Sequence, residues 1–209
     1  MRQLLPTAAL ALVLAAPAAA QNAPAAAPTL PAGWMARVDG SGDASKVKFD
    51  PMPPGWHVTL GPATIFYQPG DTATGNFHTV AKFFLFPGAS HPEGYGMFIG
   101  GTDLKGAGQA YTYFLVRSDG KFLIKRRKGD VTTKVVDWTA NDAVKAADST
   151  GHAENELSVQ VKDGKVSFMA NGKEVYSAPV ADVDSKGVIG LRINHNLSVH
   201  VAKLEVHRM

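Results

Sequence analysis

The stretch Tyr111-Thr112-Tyr113-Phe114-Leu115-Val116-Arg117-Ser118-Asp119-Gly120-Lys121-Phe122-Leu123-Ile124-Lys125-Arg126-Arg127 sets two runs of aromatic and branched residues on either side of an Asp-Gly turn. Glycine reaches the positive φ that a tight reversal needs, so the stretch predicts an antiparallel hairpin. Side chains alternate across a strand. Tyr111, Tyr113, Leu115 and Arg117 therefore share one face, and Thr112, Phe114 and Val116 share the other. The second set is apolar enough to form core. The first offers ring area, hydroxyls and a guanidinium. The same alternation splits the basic run Lys125-Arg126-Arg127-Lys128 into two pairs facing opposite ways, so it reads as a solvated hairpin end rather than a patch for polyanions.

The pattern extends in both directions. Phe77 to Phe86 is a long strand stopped by Pro87-Gly88, and Tyr95 to Ile99 is the next. Glu156 to Lys162 and Lys165 to Ala170 flank Asp163-Gly164, and Asn171-Gly172 turns the chain into Lys173 to Ser177. Val188 to Asn194 and Leu197 to His207 close the chain, while Trp56 to Leu60 and Thr64 to Tyr67 supply early strands. Only Thr139 to Ala147 carries a helical pattern, with Asn141 or Thr139 as its cap. Strands without intervening helices exclude a parallel sheet, and no repeat of fixed period points to a propeller. The expected fold is all-β, an antiparallel two-sheet β-sandwich.

The 209 residues are 45% hydrophobic and 19% charged, a balance that excludes disorder and fits one domain. Met1 to Ala20 has one basic residue, an apolar run and Ala18-Ala19-Ala20, the small residues a signal peptidase admits. Residues 1–20 are expected to be a signal peptide, 21–33 an Ala/Pro-rich linker, and 34–209 the domain. An exported protein, periplasmic or extracellular, with no transmembrane segment after signal removal, follows from that reading. The formal charge of +3 loses Arg2 with the signal, and so small a surplus gives no nucleic-acid signature. Zero cysteines exclude disulfides, thiol nucleophiles, thiolate metal sites and a lipoprotein anchor.

Trp138, Ala143-Val144-Lys145, Asn155-Glu156-Leu157, Val159, Val161-Lys162-Asp163-Gly164, Val166-Ser167-Phe168, Asn171-Gly172 and Gly187-Val188-Ile189-Gly190-Leu191 follow a familiar order. It resembles the concanavalin A-like lectin/glucanase jelly rolls over roughly Phe77 to Val206. The branch it is most similar to is the 3-keto-disaccharide hydrolase domain, with laminin-G-like modules. The resemblance implies a sandwich with one outer face that holds sugar. Ile189, Leu191 and Ile193 are expected between the sheets, with Arg192 and Asn194 pointing outward. Gly187 and Gly190 are expected where backbone passes too close for a β-carbon.

Glycosidases set two carboxyl groups roughly 5–5.5 Å or 6.5–9.5 Å apart. The glucanases of this resemblance carry acids at alternate positions of one strand, and this chain lacks that string. The nearest match, Glu154-Asn155-Glu156, reads as the solvated start of a strand. His91-Pro92-Glu93-Gly94-Tyr95 offers an imidazole beside a carboxylate for acid/base work and a ring for stacking, or simply a solvated turn. The seven histidines lack metal-binding spacing, and Asp39-Gly40-Ser41-Gly42-Asp43 lacks the later bidentate acid of a calcium loop. No cofactor or metal is expected, and neither a phosphate-binding loop nor a nucleophile elbow occurs.

The leading expectation is an exported module that binds carbohydrate without catalysis through His91, Glu93, Tyr95, Tyr111, Tyr113, Arg117, Arg192 and Asn194. One alternative is a glycoside hydrolase or lyase of the 3-keto-glycoside type, built on His91, Glu93 and His195. Another is a structural or interaction protein of the cell envelope. Fold alone does not choose among them.

Overall fold

A computed structural model describes residues 28–209. The expected signal peptide and most of the linker lie outside the described residues. Fourteen strands follow one another: β1 (Met35–Val38), β2 (Val47–Pro51), β3 (Trp56–Leu60), β4 (Thr64–Ala73), β5 (Phe77–Phe86), β6 (Tyr95–Thr102), β7 (Ala110–Arg117), β8 (Lys121–Lys128), β9 (Val131–Ala140), β10 (Ala153–Lys162), β11 (Lys165–Ala170), β12 (Lys173–Pro179), β13 (Gly187–Ile193) and β14 (Ser198–Arg208). Sheet I has the order β1-β4-β13-β6-β7-β8-β9, and sheet II the order β12-β11-β10-β5-β14-β3-β2. The fold is the antiparallel two-sheet sandwich that the alternation predicts. Among the described residues no helix is long and apolar enough to cross a membrane.

The turns explain the pairing. Arg117 opposite Lys121 leaves the three residues Ser118 to Gly120 in the loop, with Gly120 in the left-handed region at φ 75°. Asp163-Gly164 and Asn171-Gly172 make two-residue turns with positive φ at both positions, the geometry whose twist matches paired strands.

Inward side chains of the two sheets interdigitate into one core. Phe114 and Ile189 of sheet I and Leu157 and Val199 of sheet II belong to it, each essentially without exposed surface. Phe114 meets Phe168 edge-on at 5.6 Å between ring centroids, and Phe83 meets Tyr95 at 5.8 Å. Each such side chain contributes about 1.5–3 kcal/mol of burial free energy, enough to hold the domain without cross-links. Trp34 packs against Phe49 and Trp56, and Leu30 is half-buried against the same core.

The helix expected over Thr139 to Ala147 is absent. β9 continues to Ala140, and Asn141 closes a turn instead, its side chain accepting from Ala143 N at 2.9 Å and its carbonyl from Val144 N at 2.9 Å. The run is too short to repay helix nucleation. Its amides also find partners elsewhere: Lys145 N donates to Asn155 Oδ1 and Ala147 N to Ser118 O.

Candidate functional site

Register arranges the outer face of sheet I in rows. One row runs Arg37, Ile65, Arg192, Gly96, Leu115, Leu123. The next runs Met35, Tyr67, Gly190, Phe98, Tyr113, Lys125. Gly190 is required there: a β-carbon would lie 2.6 Å from the Phe98 ring and 2.4 Å from the Phe66 carbonyl oxygen. Ile189, Leu191 and Ile193 join the core between the sheets, and Arg192 projects the opposite way.

This outer face carries an apolar layer of its own. Ile65, Phe98, Tyr111, Leu115 and Leu123 are buried there, with Trp138 packed against them. The connection from β6 to β7 lays Leu104 on this layer, held by the Arg37 guanidinium donating to the carbonyls of Leu104 and Gly106.

Across that layer lies a charged cluster. Asp39, just after β1, accepts from Arg192 Nη2 at 2.6 Å and from Arg127 Nη2 at 3.2 Å. Arg192 also donates to Tyr111 Oη at 3.4 Å and to Asn194 Oδ1 at 3.3 Å, and its guanidinium lies 5.5 Å from the Tyr113 ring centre. Burial alone would raise the Asp39 carboxyl, but the hydrogen bond and charge of Arg192, with Arg127, hold it below the ordinary carboxylate range. Burial also opposes the Arg192 charge, and Asp39 outweighs it, so the guanidinium is held more firmly protonated than usual. Burial pushes the Tyr111 and Tyr113 hydroxyls up, leaving both as neutral donors.

Exposure sorts the cluster into layers. Arg192 is 7% exposed, whereas the side chains of Asp39 and Arg127 keep 19% and 13%. Tyr111 has no exposed surface and Tyr113 keeps 6%, so the tyrosines form a floor rather than open stacking platforms. Asp39 Oδ1 and Arg127 Nε are buried and have no hydrogen-bond partner among the described residues.

The other sequence candidates are placed differently. Tyr95 points into the core between the sheets, fully buried, where Asn155 Nδ2 donates to its hydroxyl at 3.2 Å and burial pushes its pKa up to about 12. It cannot stack on a ligand, because its alternation with Met97 and Ile99 puts it on the inward face. Arg117 holds Asp119 in a bidentate pair at 2.7 and 2.9 Å and lies 4.5 Å from the Trp138 ring centre, away from Arg192's partners. His91 Nε2 meets Glu93 Oε1 at 2.9 Å on an exposed loop. Asn194 N donates to Gly94 O, tying that loop to the end of β13, and exposed His195 lies near enough to lower the Asp39 carboxyl. Asp39 and Arg127 are the members sequence reasoning missed. Parity within the basic run was the available signal, since Arg127 stands opposite Tyr111. Arg126 takes the other side and pairs with Asp184.

Glu154 and Glu156 lie within β10 on the outer face of sheet II, paired with Lys82 and Lys203. Among the described residues no three His, Asp or Glu side chains are grouped to hold a metal ion.

No protein-family model matches the chain, and no curated protein matches it. Solved structures do. Carbohydrate binding module CBM66 from Bacillus subtilis aligns with a TM-score of 0.59 at 9% identity, covering 84% of this chain and 95% of that one. A B. subtilis protein of unknown function with a galectin-like fold gives 0.56 at 11% identity, over 83% and 88%. A Bacillus licheniformis β-glucanase gives 0.55 at 10%, over 86% and 94%. At such identities the likeness establishes the fold alone: the chain is a two-sheet antiparallel jelly-roll sandwich.

Proposed function

We propose that this chain is an exported carbohydrate-binding module whose ligand meets the outer face of sheet I at Asp39 and Arg127. The observation that carries the reading is the cluster of half-buried Asp39 and Arg127 with buried Arg192 over Tyr111 and Tyr113. A sheet face gains little stability from ions it must desolvate, whereas sugar recognition uses fixed, charge-assisted hydrogen bonds. The side chains of Asp39 and Arg127 reach the surface in part, and a sugar hydroxyl offers both a donor for the carboxylate and an acceptor for the guanidinium. Arg192, Tyr111, Tyr113 and Asn194 then act as positioning groups beneath the contact layer. The resemblance to a fold that houses a carbohydrate-binding module supports the ligand class.

The test is a glycan panel screened by thermal shift and followed by calorimetry on the intact protein. Arg127→Gln is expected to weaken the best ligand about tenfold, as loss of a charged hydrogen bond does, with the fold intact by circular dichroism. Undiminished binding by folded Arg127→Gln and Tyr113→Ala proteins would refute the face.

A second reading, cleavage of a 3-keto-glycoside, is favoured by one contact, His91 with Glu93, where Glu93 also lines a cavity of about 200 Å³. Turnover of 3-keto sugars that disappears in Glu93→Gln would select it.

A further inference from the structure

A cavity of about 620 Å³ lies on the opposite side of the sandwich, on the outer face of sheet II. Its lining is chiefly apolar: Met52, Pro53 and Pro54 on one side, Phe84 and Phe86 on the other. Register builds it. Asp50, His57, His200, Phe84 and Glu154 form one row across five strands, and Lys203, Lys82 and Glu156 form the next. The wall is fixed by Gly55, at φ 96°, where a β-carbon would lie 2.0 Å from the Val201 carbonyl oxygen. The turn after β2 therefore packs flat on the bulge of β14 between Val201 and Lys203, closed by Met52 N donating to Gly55 O at 2.9 Å.

Charge is distributed unevenly about this cavity. Lys82 and Lys203 line it, whereas their partners Glu154 and Glu156 do not. Each ammonium has three donors and one carboxylate partner, so each retains donors for a further anion. A volume within the range of small-molecule sites, apolar walls and two cations without a lining carboxylate define one ligand chemistry.

We propose that this groove is a second binding site, independent of the Arg192 face, for a small organic anion. The anion's apolar body lies between Phe84, Phe86 and the Met52–Pro54 wall, and its anionic group meets Lys82 and Lys203.

The experiment uses the intact protein with two fluorescent probes, 8-anilinonaphthalene-1-sulfonate and its uncharged analogue N-phenyl-1-naphthylamine. The sulfonate is expected to saturate at one per chain. Met52→Glu adds a repelling charge at a position 48% exposed and is expected to leave the thermal transition unchanged and to weaken the sulfonate about tenfold. Lys82→Gln combined with Lys203→Gln is expected to weaken the sulfonate and leave the neutral analogue unchanged. Phe84→Ser is expected to weaken both, with the thermal transition confirming a folded chain. Absence of saturable binding, or equal affinity in the Met52 and lysine variants, would overturn the proposal. So would a wild-type dimer that Met52→Glu dissociates, since a second copy would then be the occupant. Glycan binding at Arg127 is read separately, so either site can fail alone.

Discussion

Asp39 is one carboxylate shared by two guanidiniums. Its folded pKa lies below the ordinary value, so the ion pair stabilises the fold fully above the unfolded value, about 4. As pH falls through that value the unfolded chain takes up the proton first, and the contribution is lost by the time the folded carboxyl titrates. Asp39→Asn is therefore expected to lower stability at neutral pH and to flatten its decline between about pH 4 and the acid limit, read from urea midpoints. Arg192→Met leaves Asp39 with Arg127 alone and is expected to cost about 3 kcal/mol, as breaking a buried pair does. If both variants kept the wild-type acid profile, the cluster would have no energetic role.

β14 spans the sheet II interior and brings His200 against His57 of β3 and His207 against His78 of β5. The imidazoles stack with centroids 6.5 and 6.0 Å apart. Burial, then the charge of the facing histidine, lowers the pKa of both His57 and His78. Below an ordinary imidazole value of about 6.5 the unfolded chain binds protons that folded His57 and His78 resist, so stability declines as pH is lowered through that window. A His57→Phe, His78→Gln protein is expected to lose less stability than wild type between about pH 7.5 and 5.5. An identical slope would exclude the pairs as its source. The strands themselves were legible wherever Asp-Gly or Asn-Gly fixed a turn. β9 was not, because Val131–Ala140 is an edge strand whose mixed exposure blurs the period-two pattern. Asn155, the residue between Glu154 and Glu156, sits in the core, where it bonds Tyr95, Lys145 and Asn171. Its role depends on tertiary neighbours that local pattern does not contain.

At the scale of the molecule, alternation together with the fold resemblance named Arg192, Tyr111 and Tyr113 as one face, but it could not say how deeply they lie. Tyr95 shows the limit, since parity alone does not reveal which face of β6 meets the other sheet. Asp39 was illegible for another reason: it is 153 residues from Arg192 and reaches it because β4 lies between β1 and β13. Both proposed sites rest on outer faces, with the full core between them, and sheets in such sandwiches pack about 10 Å apart. No residue is shared between the Asp39 cluster and the lining of the sheet II groove. Sites that distant and without common partners combine additively to within about 0.5 kcal/mol. The protein carrying Arg127→Gln and Met52→Glu together is therefore expected to show the summed stability change of the single variants. Its glycan affinity should match that of Arg127→Gln, and its sulfonate affinity that of Met52→Glu. A coupling well above 0.5 kcal/mol in stability, or loss of glycan binding caused by Met52→Glu alone, would mean that the core transmits strain between the faces and that the two sites form one linked system.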